Sequence, residues 1–137
     1  MRRTLFIIKP NATQRSIVGA VLRLLEEGGL RIAAMKMLKL EKNEAERFYE
    51  VHREKSFFGS LVEFMCSGPV VVGVAEGEGA VDRWRSIMGA TDPAKAAPGT
   101  VRALFGENIQ ANAVHGSDSA ENAAQEIEFF FPGLSRL

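Results

Sequence analysis

The only two histidines of the chain lie in different surroundings. His52 shares a predicted helical face with Tyr49, which favours a structural imidazole whose polar edge reaches solvent. His115 ends a predicted short strand and is followed by Gly116, which can adopt backbone angles closed to other residues, and then by Ser117. A lone histidine near a turn is more often a surface residue than a nucleophile. An imidazole beside hydroxyl groups at a turn can nevertheless attack an electrophile, so His115 is the candidate for chemistry.

Three cations lie near the ends of predicted elements. They are Lys9 after the first strand, Arg85 in a short helix and Arg102 beyond a loop that also contains Thr91. Taken singly, each is typical of a solvated surface charge. Taken together, they could neutralise a transferring phosphate, because phosphoryl transfer depends mostly on positioning and charge neutralisation. The chain has no GxxxxGK[ST] loop, so phosphate binding would use side chains in place of a backbone cradle.

Composition excludes several classes of protein. The chain has 137 residues, of which 46% are hydrophobic and 25% charged, as in one globular domain. Its 17 Lys+Arg balance 17 Asp+Glu, which disfavours a protein dedicated to binding nucleic acid. Cys66 is the only cysteine, so an internal disulfide and a structural zinc site are excluded.

Hydropathy predicts a cytoplasmic protein. No apolar segment approaches the roughly 20 residues that a membrane-spanning helix needs. The apolar run after Arg2 and Arg3 ends at Lys9 and is too short for a secretory signal.

Four segments have the composition and bounds of β-strands. The predicted strands are Thr4–Lys9, Arg31–Leu40, Val70–Ala75 and Ile109–Val114. The alternation of apolar residues slips within the second strand, which predicts a bulge or an edge position.

Helical spacing of apolar residues predicts five helices. They run from Ile17 to a cap at Gly28, and over Asn43–Arg53, Phe57–Met65, Ala80–Met88 and Asp118–Phe131. Asn43 and Asp118 are of the types that cap helix N-termini, and Glu121 completes a capping box with Asp118. The intervening Gly89–Gly99 segment is typical of an ordered functional loop. The element order predicts an α/β (α+β) fold, a ferredoxin-like split βαβ sandwich with a four-stranded antiparallel sheet covered by helices.

Five separated motifs match one family of proteins. They are TLFIIKPNA at 4–12, FYEVH at 48–52, SGPVVV at 67–72, GATDPAKAAPGTVR at 89–102 and NAVHGSDS at 112–119. On these motifs the chain resembles nucleoside diphosphate kinase over nearly its full length, as a single domain over residues 1–137. The resemblance implies a ping-pong enzyme in which a nucleoside triphosphate, mainly ATP, phosphorylates His115. The phosphohistidine then passes the phosphoryl group to a nucleoside diphosphate.

The resemblance also implies a set of residues for the chemical step. In this set Tyr49 flanks the histidine, Glu126 holds its other ring nitrogen, and Ser117 lies near the transferred phosphoryl group. The catalytic set is His115, Lys9, Tyr49, Asn112, Ser117 and Glu126.

A second set of residues is implied for binding the nucleotide. Phosphate contacts fall to the three cations and Thr91, while Lys9 and Asn112 also reach the ribose hydroxyls. Phe57 stacks on the base, which accepts purines and pyrimidines alike. The binding set is Lys9, Phe57, Leu61, Arg85, Thr91, Arg102, Ile109 and Asn112.

Cofactor and partners follow from the same resemblance. Magnesium is expected to arrive with the nucleotide phosphates, and no protein side chain is nominated as a metal ligand. The chain is expected to form a homo-oligomer, a tetramer or hexamer, in which the edge of the second strand could join two subunits. Neither a membrane nor a dedicated nucleic-acid partner is expected.

Three positions depart from the family pattern. Leu104 stands where an acidic residue is usual, which predicts a less firmly oriented Arg102. Ser56 replaces a common proline and predicts a looser entrance beside Phe57. Asp92 replaces a usual asparagine and adds a negative charge near the phosphates.

Two other functions are compatible with this fold class. An RNA-binding module needs exposed aromatic side chains on its sheet and a basic face, and the predicted strands offer little beyond Phe6. A phosphohistidine protein could alternatively hydrolyse nucleotides or relay phosphate to proteins. The identity of the phosphoryl acceptor distinguishes this second alternative from the kinase.

Overall fold

One four-stranded antiparallel sheet organises the chain in this computed structural model, which describes residues 2–134. The strands lie in the order β2-β3-β1-β4. They are β1 (Arg3–Ile8), β2 (Arg31–Leu38), β3 (Val70–Glu76) and β4 (Val114–Gly116). Both β3 and β4 pair antiparallel with β1. This is the predicted ferredoxin-like sandwich.

Helices cover both faces of the sheet. They are α1 (Pro10–Thr13), α2 (Val18–Glu27), α3 (Lys42–Phe48), α4 (Phe58–Met65), α5 (Ala80–Met88), α6 (Val101–Phe105) and α7 (Ala120–Phe130). Short 3-10 turns lie at Glu50–His52 and Pro93–Lys95. The short helices α1 and α6 were not predicted from the sequence.

The central strand β1 is buried on both faces. Leu5 and Ile7 face a core shared with α3, α4 and α7. Phe6 and Ile8 face the other core, which includes residues of α2 and α5. All four side chains are fully buried, so β1 forms a fixed platform, and Lys9 follows directly at its end.

The prediction of a strand over Ile109–Val114 is wrong, because β4 begins only at Val114. The Asn108 side chain accepts hydrogen bonds from the backbone N–H groups of Gln110 and Ala111, which folds the preceding segment into a turn. Ala113 has φ 76°, a left-handed conformation that interrupts an extended chain. His115 therefore lies within the strand, where it pairs with Ile7.

Two predicted helix starts are also wrong. Helix α3 begins at Lys42, where the Glu44 carboxylate accepts from the Glu41 backbone N–H at 3.0 Å, so Asn43 is inside the helix. Helix α7 is capped by Ser119, whose Oγ accepts from the Asn122 N–H at 3.1 Å. Serine satisfies the first-turn donors here in place of the predicted Asp118.

Strand β2 and the helix after it are each shorter than predicted. The predicted bulge and edge position of β2 are both present, since its register shifts between Ile32 and Ala34 and it ends the sheet. The strand ends at Leu38, two residues before the predicted end. The helix predicted to reach Arg53 ends at Phe48 and continues as a 3-10 turn.

Candidate active site

A cavity of about 420 Å³ opens beside the ends of β1 and β4. It is lined by Lys9, Tyr49, Phe57, Leu61, Thr91, Arg102, Ile109, Gln110, Asn112 and His115. All of these except Gln110 belong to the sets predicted from the sequence. Residues that are far apart in the sequence, from Lys9 to His115, thus meet in one place.

His115 is held by its backbone and by its ring. Its carbonyl accepts from the Trp84 indole N–H at 3.2 Å. A Cβ at Gly116 would lie 2.5 Å from a Trp84 carbon, so the chain can pass there only as glycine. The imidazole Nε2 lies 2.9 Å from Oε1 of Glu126, and its side chain is 20% exposed. Glu126 thus contacts Nε2, and Nδ1 is the ring nitrogen that could act as a nucleophile.

Ser117 supports Glu126 from behind. Its hydroxyl donates to Glu126 Oε1 at 2.8 Å and accepts from the Leu5 backbone N–H at 3.3 Å. Ser117 is fully buried and does not line the cavity. The hydroxyl therefore helps to fix the carboxylate that contacts His115.

Two aromatic residues, Phe48 and Tyr49, lie beside the His115 ring. The Phe48 ring is edge-on to the imidazole, with 5.5 Å between ring centroids. The Tyr49 ring packs against Phe48 with 4.9 Å between ring centroids, and its buried hydroxyl has no hydrogen-bond partner among the described residues. Burial, and then the charge of Glu126, raise the pKa of Tyr49 well above its usual range. Tyr49 therefore carries a neutral hydroxyl whose hydrogen has no acceptor among the described residues. Phe48 was missed as a site residue, although it begins the FYEVH motif.

Lys9 is buried at the end of β1. Its Nζ donates to Asn112 Oδ1 at 2.8 Å and to the Gln110 carbonyl at 3.4 Å. Asn112 in turn donates to the Thr91 carbonyl at 3.0 Å. Burial, and then the charge of Arg102, lower the pKa of Lys9 to about 7. An anion in the cavity would favour the charged ammonium.

Arg102 is only 8% exposed and is held by two backbone carbonyls. Nη1 donates to Gly89 at 3.0 Å and Nη2 donates to Val114 at 2.9 Å, while the buried Nε has no partner among the described residues. A guanidinium has five N–H donors, so three have no partner among the described residues, and two of these three are on the Nη atoms. Burial, and then Arg85, lower the pKa of Arg102 to about 10. Leu104 is exposed, and the contacts that orient Arg102 come from the two backbone carbonyls.

Arg85 lies next to the first cavity and not within it. It lines an adjoining cavity of about 700 Å³ that shares Thr91 and Arg102 with the first. Lys95 also borders this second cavity. The Asp92 carboxylate caps the 3-10 turn by accepting from the Ala94 N–H at 3.0 Å. The two cavities therefore form one cationic region along the Gly89–Gly99 loop.

The other end of the first cavity is apolar and open. Phe57 is 45% exposed and Ile109 61% exposed, and Leu61 adjoins them. Gln110, which was missed from the sequence, donates from Nε2 to the Ser60 hydroxyl at 3.0 Å. This bond joins the 106–113 segment to α4. Exposed flat and branched side chains on two segments are suited to holding a planar ring.

The positive charge of this region suits a metal ion that would enter already bound to phosphate groups, and not a metal ion held by protein side chains. Within residues 2–134, no three His, Cys, Asp or Glu side chains come together as a metal site. Cations dominate the polar end of the cavity, and cations attract phosphates and repel a bare metal ion.

No helix within residues 2–134 is both long enough and apolar enough to cross a membrane.

A family model and the curated relatives of the chain point to the same family. The family model for nucleoside diphosphate kinase matches residues 2–135. The nucleoside diphosphate kinase of a Nitratiruptor species is 60% identical over 131 residues, which are 96% of each chain. That of Campylobacter hominis is 59% identical over 133 residues, which are 97% of each chain.

Solved structures resemble the whole fold. The Aquifex aeolicus nucleoside diphosphate kinase has a TM-score of 0.94 and 48% identity, and the match covers 97% of this chain and 96% of that one. A halophilic nucleoside diphosphate kinase from Halobacterium salinarum, solved in complex with CDP, has a TM-score of 0.91 and 39% identity. That match covers 95% of this chain and 87% of the other.

Proposed function

Because the chain belongs to the nucleoside diphosphate kinase family, it transfers the γ-phosphoryl group of a nucleoside triphosphate to a nucleoside diphosphate, and we propose that His115 carries that group. The observation that supports this role best is the 2.9 Å contact between His115 Nε2 and Glu126, which commits one ring nitrogen and leaves the other for attack.

In the first half-reaction, Nδ1 of the neutral imidazole attacks the γ-phosphorus. A P–N bond forms while the bond from phosphorus to the β–γ bridging oxygen breaks, and the nucleoside diphosphate leaves with that electron pair. Positive charge develops on the ring, and the Glu126 carboxylate at Nε2 stabilises it. In the second half-reaction, a terminal oxygen of another diphosphate attacks the phosphorus and forms a P–O bond. The P–N bond breaks, and its electron pair returns to Nδ1, which restores the neutral imidazole.

The cations are proposed to hold the phosphates. Arg102 has unused donors that face no other partner, and Lys9 has one N–H beyond its two acceptors. Thr91 and Arg85 extend this region toward the adjoining cavity. Preorganised donors of this kind stabilise the charge on the transferring group. The free hydroxyl of Tyr49 would be a further donor beside His115.

The ribose and base are proposed to occupy the opposite end. In this proposal Lys9 and Asn112 reach the ribose hydroxyls, and Phe57 stacks on the base beside Leu61 and Ile109. The cavity that these residues line together supports this assignment. Stacking accepts any base, so specificity for the base should be low. The similar Halobacterium salinarum protein was solved with CDP, which supports a site that admits pyrimidines.

Magnesium is proposed to enter with the phosphates. The ion keeps several waters and needs few protein ligands, which fits a cavity lined by cations. When bound, it would neutralise charge on the phosphate oxygens. The side chains of the cavity bind and orient the phosphates, and His115 carries the phosphoryl group.

The chain is also proposed to be a single cytoplasmic domain over residues 1–137 that forms a tetramer or hexamer. The β2 edge supports a subunit contact, since Met35 and Met37 are exposed there at 47% and 60%. Sedimentation of the wild type and of Met37→Lys would test this assignment.

Initial-rate kinetics test the proposed reaction. With ATP and a diphosphate both varied, parallel reciprocal plots and loss of activity in His115→Ala are expected. His52→Ala is the matched control and should retain normal turnover. Hydrolysis, or transfer to a protein acceptor, faster than transfer to the diphosphate would contradict the kinase assignment and favour the relay alternative.

A further inference from the structure

The segment 106–113, called here the nucleotide loop, carries part of the proposed site without regular secondary structure. Ile109 and Asn112 reach the cavity from it. Its Ala113 has the left-handed φ of 76°, and its Asn108 side chain closes an internal turn. A loop of this kind holds its shape only through specific polar contacts, because few apolar side chains within it are buried.

Asn11 supplies two of these contacts from α1. Its amide nitrogen donates to the Glu107 carboxylate and to the Ala111 carbonyl, each at 3.0 Å. Both partners are acceptors, which fixes the amide orientation, since only the nitrogen can face them. Asn11 is 7% exposed, and its Oδ1 is buried without a partner among the described residues. Both hydrogen bonds of this buried side chain thus go to the nucleotide loop, and neither goes to α1.

Arg15 and Glu107 complete the attachment of the loop. Arg15 donates to the Phe105 carbonyl at 2.8 Å and lies 3.8 Å from the Glu107 carboxylate. The Glu107 backbone N–H donates to the Ala111 carbonyl at 2.8 Å, so both ends of the turn meet at Asn11. Lys9, two residues before Asn11, contacts Gln110, Asn112 and Ala113 in the same loop.

We infer that Asn11 and Glu107 form a positioning pair that sets the nucleotide loop against α1 and thereby places Ile109 and Asn112 for the nucleoside part of the substrate. Neither residue lines the cavity, so the pair acts through the loop and not by contact. The inference rests on the proposed function, since it assigns a role to residues outside the proposed reacting groups.

The pair should affect nucleoside binding more than the chemical step. His115 is fixed from β4 and α7, and Arg102 is fixed by carbonyls outside the loop. A displaced loop would therefore weaken contacts to ribose and base and leave the phosphoryl-accepting nitrogen in place. A loss of binding that is equal in the ground and transition states raises KM and leaves kcat unchanged.

A reciprocal exchange of the two side-chain types tests this inference. Asn11→Asp puts a carboxylate against Glu107 and removes the donor to Ala111, so KM for ATP should rise about 10-fold, with kcat within about 3-fold of wild type. Glu107→Gln keeps an acceptor and should stay within about 2-fold. In the double variant the new amide at 107 can donate to the new carboxylate at 11, while the donor to the Ala111 carbonyl stays absent. KM should therefore recover in part, to within about 3-fold of wild type.

Phosphorylation by phosphoramidate separates positioning from damage to the site. This small donor has neither ribose nor base, so the rate at which it phosphorylates His115 should be unchanged in Asn11→Asp. Gln14→Ala is the matched control, because this side chain, directly after α1, bonds to the Ser67 carbonyl and not to the nucleotide loop. It should behave as wild type with both donors.

Three results would overturn the positioning pair: a normal KM in Asn11→Asp, a double variant no better than Asn11→Asp, or an equal loss with ATP and phosphoramidate. Absence of transfer to diphosphates by the wild type would instead overturn the proposed function, and with it the pair.

Discussion

The two ends of the cavity differ in how firmly their side chains are held. At the phosphate end, Lys9 and Arg102 are at most 8% exposed and bonded to the surrounding chain. At the base end, Phe57 and Ile109 are about half exposed. The end proposed for the chemistry is therefore preorganised, while the end proposed for the nucleoside is open.

This difference has a physical basis. Stabilising a developing charge needs donors fixed at the right distance before the reaction, because reorganising them would add to the barrier. Stacking a base needs only a ring face and tolerates small displacements. One small domain can thus combine a demanding reaction with broad nucleotide recognition.

The largest effect is expected at His115, at the preorganised end of the cavity. His115→Ala should lower phosphoryl transfer by about 10⁴-fold or more, since the proposed nucleophile is removed. A coupled assay of diphosphate conversion measures this, with His52→Ala as control. The fold should persist in urea unfolding, and a variant with residual turnover above about 10% of wild type would place the nucleophile elsewhere.

The next largest effect is expected at Glu126, the carboxylate that contacts the His115 ring. Glu126→Gln retains a side chain that can accept the Nε2–H bond but removes the negative charge, so phosphohistidine formation should slow about 10- to 100-fold. Single-turnover quenching measures this rate directly. A change below about 2-fold would show that charge at Nε2 does not assist the step.

At the open end, Phe57→Ala should weaken nucleotide binding by about 1 to 3 kcal/mol. The loss should be similar for ATP, GTP and CTP, because a stacking ring does not read base edges. Calorimetric titration of each nucleotide tests this, and Phe57→Tyr should restore affinity. Loss for one base only would contradict nonspecific stacking.

Protonation of Lys9 should couple nucleotide binding to pH. Its pKa of about 7 in the free protein should rise toward its ordinary value when phosphates bind, so binding above pH 7 takes up as much as about one proton. Affinity should therefore fall as pH rises above 7. Calorimetry in buffers of different ionisation enthalpy measures the uptake, and its persistence in Lys9→Met would assign it to another group.

The same shift predicts the pH dependence of stability. The folded-state pKa of Lys9 lies below its unfolded value of 10.5, so the unfolded chain binds more protons between about pH 7 and 10.5. The contribution of Lys9 to the free energy of unfolding thus increases with pH across that window. In urea titrations, Lys9→Met should lack this increase.

The smallest effect is expected at Leu104. Arg102 is oriented by backbone carbonyls, so Leu104→Asp should change kcat and KM by less than about 2-fold. Steady-state kinetics test this. A gain of several-fold would mean that an acid at this position orients Arg102 better than the carbonyls do.

Local sequence patterns predicted the parts of the site that lie on regular elements. Lys9 follows an apolar strand ended by proline, and its place at a strand end needs no tertiary information. The four-stranded antiparallel sandwich followed from element order in the same way. Of the nine predicted residues that meet in the cavity, Lys9, Thr91, Arg102 and His115 were candidates from residue type and position, and the other five came from the family resemblance. Sequence spacing alone does not show that these residues converge.

The sequence was less informative where polar contacts decide the backbone. The left-handed Ala113 and the turn closed by Asn108 make the fourth strand shorter than predicted. The sequence did not indicate this, because an alanine gives no sign that its φ is positive. The hydrogen bond that the Ser117 hydroxyl accepts from the Leu5 backbone N–H was not predicted, because the two residues are 112 positions apart in the sequence. Gln110 was missed because its partner Ser60 lies on α4, 50 residues away.

The most direct test of the proposed mechanism follows the phosphoryl group itself. The purified protein is incubated with γ-labelled ATP and magnesium, the labelled residue is located by peptide mass analysis, and unlabelled GDP is then added. We predict an acid-labile, base-stable phosphate on His115 that moves quantitatively to GDP. A label on another residue, or a phosphohistidine that GDP does not discharge, would contradict the mechanism.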